Sequence, residues 1–227
     1  MPQQSVPKAA AWMAGWLVSM LAMAIAGREV AGEVPVVVLM FLRSAIGTCI
    51  LLPVVFHTGL DRLYTGRLLA HAGRNAIHYT AQFAWFFALT LIPLAEVVSI
   101  EFTTPLWAAV LAVVFLSERM PWPRLFATGL GFAGILVIVR PGFASIEAGQ
   151  LWALYAACGF AISVVLTKFL TRTDSAFAIL CYMVFMQAAI GLVPALWLWK
   201  WPQAHGWAWV IVAAIAGLTS HYSLARA

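Results

Sequence analysis

Eight apolar blocks, each about long enough to cross a bilayer as a helix, divide this chain and decide its class. They run Ala9–Gly27, Val34–Phe56, Leu68–Leu91, Pro93–Leu116, Pro123–Val139, Gly149–Thr167, Ala176–Trp199 and Trp207–Ala225. The connections are too short to hold a soluble domain. Apolar residues make up 64% of the chain and charged residues only 9%, a balance that no soluble domain of 227 residues needs. Inside a bilayer the backbone polar groups must find partners within helices. The expected fold class is therefore all-α, a polytopic transmembrane helix bundle. Short connections make consecutive spans antiparallel neighbours.

Lys and Arg set the expected orientation. With the N-terminus inside, the cytoplasmic side collects Lys8, Arg62, Arg67, Arg74, Arg119, Arg124, Lys168, Arg172 and Arg226. The other side receives Arg28, Arg140 and Lys200. The net charge of +5 is thus a topology signal and no mark of nucleic acid. Lys8 and the small residues Ala24-Ile25-Ala26 resemble a signal peptide, but seven further spans favour an uncleaved first helix. Pro35, Pro93 and Pro123 fall at helix starts, where a missing N–H costs little. Pro53, Pro105 and Pro194 lie inside spans and predict kinks or local unwinding. Cys49, Cys158 and Cys181 are read as small core residues, with no disulfide framework.

A weak repeat recurs at about 143–144 residues. Arg43-Ser44-Ala45-Ile46-Gly47 lines up with Gln187-Ala188-Ala189-Ile190-Gly191, and His78-Tyr79-Thr80 with His221-Tyr222-Ser223. Arg28 roughly matches Lys168. The period covers five helices, an odd number, so the second copy enters the membrane inverted. Inverted repeats mark many secondary transporters, with the substrate site near the midplane. Residues 1–142 form the first five-helix repeat, and residues 143–227 a partial second with spans six to eight. The expectation is eight spans of ten, the second repeat being incomplete and the chain a fragment of a ten-helix protein.

Three stretches carry a resemblance. They are Glu101-Phe102-Thr103-Thr104-Pro105-Leu106-Trp107, Leu116-Ser117-Glu118-Arg119-Met120, and Gly129 through Val139-Arg140-Pro141-Gly142; Phe41-Leu42-Arg43-Ser44 adds to them. Together they resemble EamA-type members of the drug/metabolite transporter superfamily. The resemblance implies two inverted five-helix halves with both termini cytoplasmic. It also implies movement of metabolites such as amino acids, nucleosides, vitamins or cofactors. This sequence departs from the family pattern in lacking the last two helices.

The polar residues inside the spans are the candidates for function, because burying them in lipid is costly. In the third span Arg67, His71, Arg74, Asn75, His78 and Gln82 fall at steps of three and four and share one face. Ala72, Gly73, Ala76, Thr80, Ala84 and Ala88 form the opposite face, expected to pack closely against other helices. Arg67 and His71 read as interface snorkelling. Arg74 and His78, deeper, read equally as cavity lining or as interhelix bridges. In the fourth span Glu96 reads as a solvated helix end, while Glu101 sits deeper, on the side of Pro105, at the depth of Arg43. Arg43 and Glu101 could pair, as a brace or as a site for substrate or a proton. Arg43 suits a substrate carboxylate or phosphate. His78 and His221 could report proton binding. Tyr79, Tyr222 and Trp107 are candidate aromatic walls. The substrate- or proton-binding candidates are thus Arg43, Arg74, His78, Glu101, Trp107, His221, Tyr79 and Tyr222. No catalytic residue, metal ligand or cofactor is expected.

Several motifs point nowhere. Gly129-Leu130-Gly131-Phe132-Ala133-Gly134 matches a dinucleotide fingerprint but lies in an apolar helix without a soluble βαβ unit; close helix packing is the reading. Ser5-Val6-Pro7-Lys8 lies in a short tail. His57 and Asp61 have the wrong spacing for an acyltransferase pair. Trp197, Trp199, Trp201, Trp207 and Trp209 form an interfacial aromatic belt. Glu118 and Arg119 end a span. The expected function is a multi-pass inner-membrane secondary transporter of a small metabolite. It works by alternating access, proton-coupled or by exchange, around a central cavity, with lipid and substrate as partners. The alternatives are a membrane-embedded lipid-modifying enzyme, or a channel or assembly subunit acting as a homodimer.

Overall fold

The computed structural model of the chain describes residues 6–116, 122–139 and 147–226. Among these residues every regular element is a helix. In chain order the α-helices are α1 (Val6–Val30), α2 (Val36–Thr58), α3 (Leu68–Leu91), α4 (Leu94–Glu101), α5 (Thr104–Leu116), α6 (Trp122–Val139), α7 (Ala148–Leu170), α8 (Ala176–Trp197) and α9 (Ala204–Arg226), with one short 3-10 turn at Leu60–Leu63. Each expected block is thus helical over most of its length. Ser117–Met120 and Arg140–Gly142, which carry part of the family resemblance, lie outside the described residues, as does Ser5.

Among the described residues, six segments are long and apolar enough to cross a membrane: Pro7–Val30, Val36–Thr58, Leu94–Phe115, Ala148–Leu170, Ala176–Trp197 and Ala204–Arg226. The α3 helix has the length, at 24 residues, but its face of Arg, His, Asn and Gln lowers its hydropathy. The fourth block is not one helix. It stops at Glu101 and restarts at Thr104. Pro105 explains the break, since it lacks the N–H that would bond the Glu101 carbonyl and its ring crowds that carbonyl. The chain tightens there: the Thr103 amide donates to Ile100 O at 2.9 Å, and the Thr103 hydroxyl donates to the same oxygen at 2.7 Å. Pro53 and Pro194 are carried inside α2 and α8 without interrupting either.

The chain divides into two compact units. One comprises Met1–Ala72 with Leu170–Ala227, the other Gly73–Phe169. In the first, α1 packs along α9 and α2 along α8 and α9. Its core joins Leu51 and Val55 to Leu180, Cys181, Met183 and Val184. In the second, Ala108, Ala161 and Val165 form a small core with Trp107 and Leu111 against it. There α3 approaches α7 closely, for a Cβ at Gly159 would lie 2.7 Å from Ala81 Cβ.

The polar face of α3 is buried, with His71, Arg74, Asn75, His78 and Gln82 all at 5% exposure or less. The small-residue face does not pack as expected. Ala72, Gly73, Ala76 and Thr80 are exposed, and only Ala84 and Ala88 are buried. The reason is the cost of turning charge toward lipid, which outweighs the gain from close small-residue contact. Two further expectations are corrected. Among the described residues, Gly129, Gly131 and Gly134 have no atom within 4 Å of where a Cβ would sit, in place of the close packing expected there. Cys49 is exposed and Cys158 half-buried, leaving Cys181 as the buried one.

Two pairs of helix ends recur at one spacing. Val30 closes α1 and Leu170 closes α7; Val36 opens α2 and Ala176 opens α8; both intervals are 140 residues. That spacing fits the Arg28–Lys168 match and is about one helical turn shorter than the 143–144 alignment.

Candidate functional site

Arg43 lies two turns into α2 and is only 5% exposed. Guanidinium stays charged in proteins and carries five donors, so in an apolar bundle it must find acceptors. Its Nη2 donates to Gln187 Oε1 on α8 at 3.1 Å, and its Nη1 to the Met23 thioether on α1 at 3.3 Å. Both acceptors are neutral. Gly217 on α9 makes room for the group, since a Cβ there would sit 3.1 Å from Nη1. A small pocket adjoins the guanidinium, lined by Ser44, Met183, Val184, Ala214, Gly217 and Leu218. The Gln187 amide nitrogen is buried with no hydrogen-bond acceptor. One fixed cation and one free amide donor therefore share a polar spot among apolar walls, a combination suited to an anionic group.

The expected pairing of Arg43 with Glu101 joins residues of different units. Inside its own unit Glu101 accepts from Trp85 Nε1 at 2.7 Å. Arg74, His78 and Tyr79 are all buried on α3. The Arg74 Nε donates to the Thr167 hydroxyl at 3.2 Å and its Nη1 to Asn75 Oδ1 at 2.9 Å. His78 Nδ1 lies 3.1 Å from the Ser163 hydroxyl, with Phe160 5.3 Å from its ring. Both residues therefore bridge α3 to α7, one of the two roles expected for them. Trp107 is half-buried, and its indole N–H is buried without an acceptor. His221 and Tyr222 are half-buried on α9, and the Tyr222 ring stands edge-on to Trp12 at 5.9 Å. Glu96 accepts from Gln150 of α7.

His71 departs from its expected role. It is fully buried, and its Nε2 meets Asp174 Oδ2 at 2.7 Å. The Thr65 hydroxyl donates to the same oxygen at 2.8 Å. The Tyr182 ring lies 4.4 Å from the imidazole, and its hydroxyl donates to Leu63 O at 2.8 Å. Burial pushes the Asp174 carboxyl up. Hydrogen bonds from His71 and Thr65, the charge of His71 and a bond from Thr173 more than offset that, so it ends below its ordinary value. No local signal links Asp174 to a residue 103 positions earlier. Only its place in the turn before Ser175, the N-cap of α8, was open to a reading of the chain.

Residues 7–140 match the EamA-like transporter family. The chain belongs to that family. As a family member with six apolar membrane-length segments, it is an integral multi-pass membrane protein. It is 28% identical over 187 residues to a protein named S-adenosylmethionine uptake transporter from Rickettsia conorii, covering 82% of this chain and 64% of the relative. It is 32% identical over 165 residues to a riboflavin transporter of Brucella anthropi, covering 73% of this chain and 57% of the relative. The chain thus spans less than two thirds of the length of these relatives. A solved crystal structure superposes with a TM-score of 0.73 at 21% identity, covering 98% of this chain and 79% of the other. That likeness concerns the fold alone.

Proposed function

We propose that this EamA-family chain is a multi-pass inner-membrane secondary transporter that moves a small metabolite by alternating access, coupled to protons or to exchange. Its N-terminus is cytoplasmic, as the Lys and Arg distribution favours. Its eight spans belong to two inverted repeats, residues 1–142 and 143–227. The shared 140-residue interval of the α1/α7 ends and the α2/α8 starts supports that reading. The observation that carries the function is Arg43: a buried cation beside a small pocket and the free amide of Gln187, in a family whose relatives are named for transport.

In this reading Arg43 and Gln187 hold an anionic group of the substrate, a carboxylate or phosphate. Trp107, Tyr79 and Tyr222 serve as apolar walls, and Arg74, His78, His221 and Glu101 as polar groups along the path. Metabolite transport leaves no role for an enzymatic step. The test is uptake by proteoliposomes holding the full chain of labelled S-adenosylmethionine, which has a carboxylate for Arg43, and of riboflavin, which has neither carboxylate nor phosphate. Saturable uptake that falls in Arg43→Gln, at equal incorporation, is the expected result. Unchanged uptake in that variant removes Arg43 from the site, and no uptake of either compound by the wild type counts against both substrates.

A further inference from the structure

We infer that His71 and Asp174 form a proton-binding site, with Nδ1 of His71 as the atom that takes the proton. The geometry on both sides of the imidazole carries this. Nε2 is held by the Asp174 carboxylate at 2.7 Å. Nδ1 is buried and has no hydrogen-bond partner. In the neutral ring Nδ1 is a lone pair with no donor; in the charged ring it is an N–H with no acceptor. Neither state is fully satisfied locally, but the charged ring gains a direct ion pair with Asp174. The penalties on the two sides oppose one another, which is what lets a site exchange its proton rather than lock in one form. His78 is different, because its Nδ1 faces the Ser163 hydroxyl.

The location suits a proton from water. Asp174 lies in the turn between two membrane-length segments, which end at Leu170 and begin at Ala176. Its carboxyl is held below its ordinary range by its contacts, so it is ionised near neutral pH and available as the counter-charge. The elements packed on the pair are the Leu60–Leu63 turn with its following loop, the α7–α8 turn, and α8. Of their ionisable groups, Asp174 and the Tyr182 phenol face His71. Asp61, Arg62 and Arg172 are exposed, and Arg67 is half-buried directly before α3. Arg74, three residues on, is engaged with Thr167 and Asn75. Proton uptake would tighten the tie between the start of α3 and the turn before α8, and release would loosen it.

The use of this proton to drive transport rests on the reading above; the binding site itself does not. The full chain in lipid nanodiscs, labelled with 15N-histidine, is titrated between about pH 5 and 8, where imidazole changes charge. The His71 signals are identified by their loss in His71→Gln. The expected result is that Nε2 stays protonated throughout while Nδ1 gains a proton as pH falls. The midpoint moves to lower pH in Asp174→Asn, because the imidazolium has lost its carboxylate. An Nδ1 whose state never changes, or a midpoint indifferent to Asp174→Asn, overturns the site. Should those variants fail to fold, Thr65→Val removes one bond to the carboxylate and is expected to move the midpoint; no movement counts against the site. Proteoliposomes then separate coupling from binding. His71→Gln is expected to lose accumulation driven by a pH gradient while keeping exchange at equilibrium. A wild type that moves neither S-adenosylmethionine nor riboflavin leaves the titration as the sole judge of the site.

Discussion

Gln187 accepts a hydrogen bond from Arg43 at 3.1 Å although 144 residues separate them. The starts of α2 and α8 lie 140 residues apart, so the two are offset by about one turn from strict equivalence. The same crossing of α2 and α8 brings Gly47 against Val184, where a Cβ would lie 3.2 Å from the valine methyl. A long basic side chain thus occupies one end of the crossing, and a residue with no side chain sits at the other.

Removing Gln187 alone should harm the fold more than removing both partners. Gln187→Leu takes an acceptor from a buried cation, which costs about 1–3 kcal/mol. Arg43→Met with Gln187→Leu replaces both groups by apolar ones and should cost less than the two single changes summed. Thermal unfolding of the four proteins in detergent gives the cycle. Strict additivity would mean that the bond contributes nothing.

The Trp85–Glu101 bond predicts an asymmetry of its own. Trp85→Phe leaves the buried carboxyl without its donor and should destabilise by about 1–3 kcal/mol. Glu101→Gln keeps an oxygen for the indole N–H and should be milder. Equal losses in the two variants would argue that ring packing, rather than the bond, holds Trp85.

Acid should weaken the Asp174 contacts. Its carboxyl is lowered in the folded chain, so its stabilisation is present above its ordinary value of about 3.9 and is lost as pH falls through the lower folded value. Asp174→Asn should be less stable near neutral pH and should lack this part of the acid decline. Denaturation followed across that range checks it. A wild-type and variant difference that stays constant with pH refutes the prediction.

Glycines divide into two sets by their surroundings. Gly159→Ala brings a methyl 2.7 Å from Ala81 Cβ and should cost roughly 1–3 kcal/mol, with Ala81→Gly restoring part of the loss. Gly131→Ala meets nothing and should be neutral or stabilising by up to about 1 kcal/mol. Melting temperatures of these variants are a direct comparison.

The helices were legible in the chain because apolar length and proline placement act locally. Pro93 lies directly before α4, and Pro105 marks the restart of α5. The polar face of α3 was legible from its three-and-four spacing, but the direction it faces was not. Ala72 and Ala76 look like packing residues in isolation, and only the neighbours of Arg74 and His78 decide that the charged side turns inward. Arg43 could be singled out because a cation within a span is costly wherever it lands. Its partner could not, since Gln187 is an ordinary amide until α8 crosses α2. His71 reads as an interface residue for the same reason: Asp174 reaches it only through the fold.

The inward charge of α3 bears on how the protein is made. Arg74 lies in the second turn of α3, where an unpartnered guanidinium facing lipid is costly. The side chain that accepts from its Nε, Thr167, lies 93 residues further along and is still unsynthesised when α3 leaves the ribosome. Until α7 emerges, the guanidinium has only its neighbour Asn75 and the interface to satisfy it, so the arrival of α7 completes the set of partners that the folded chain gives Arg74.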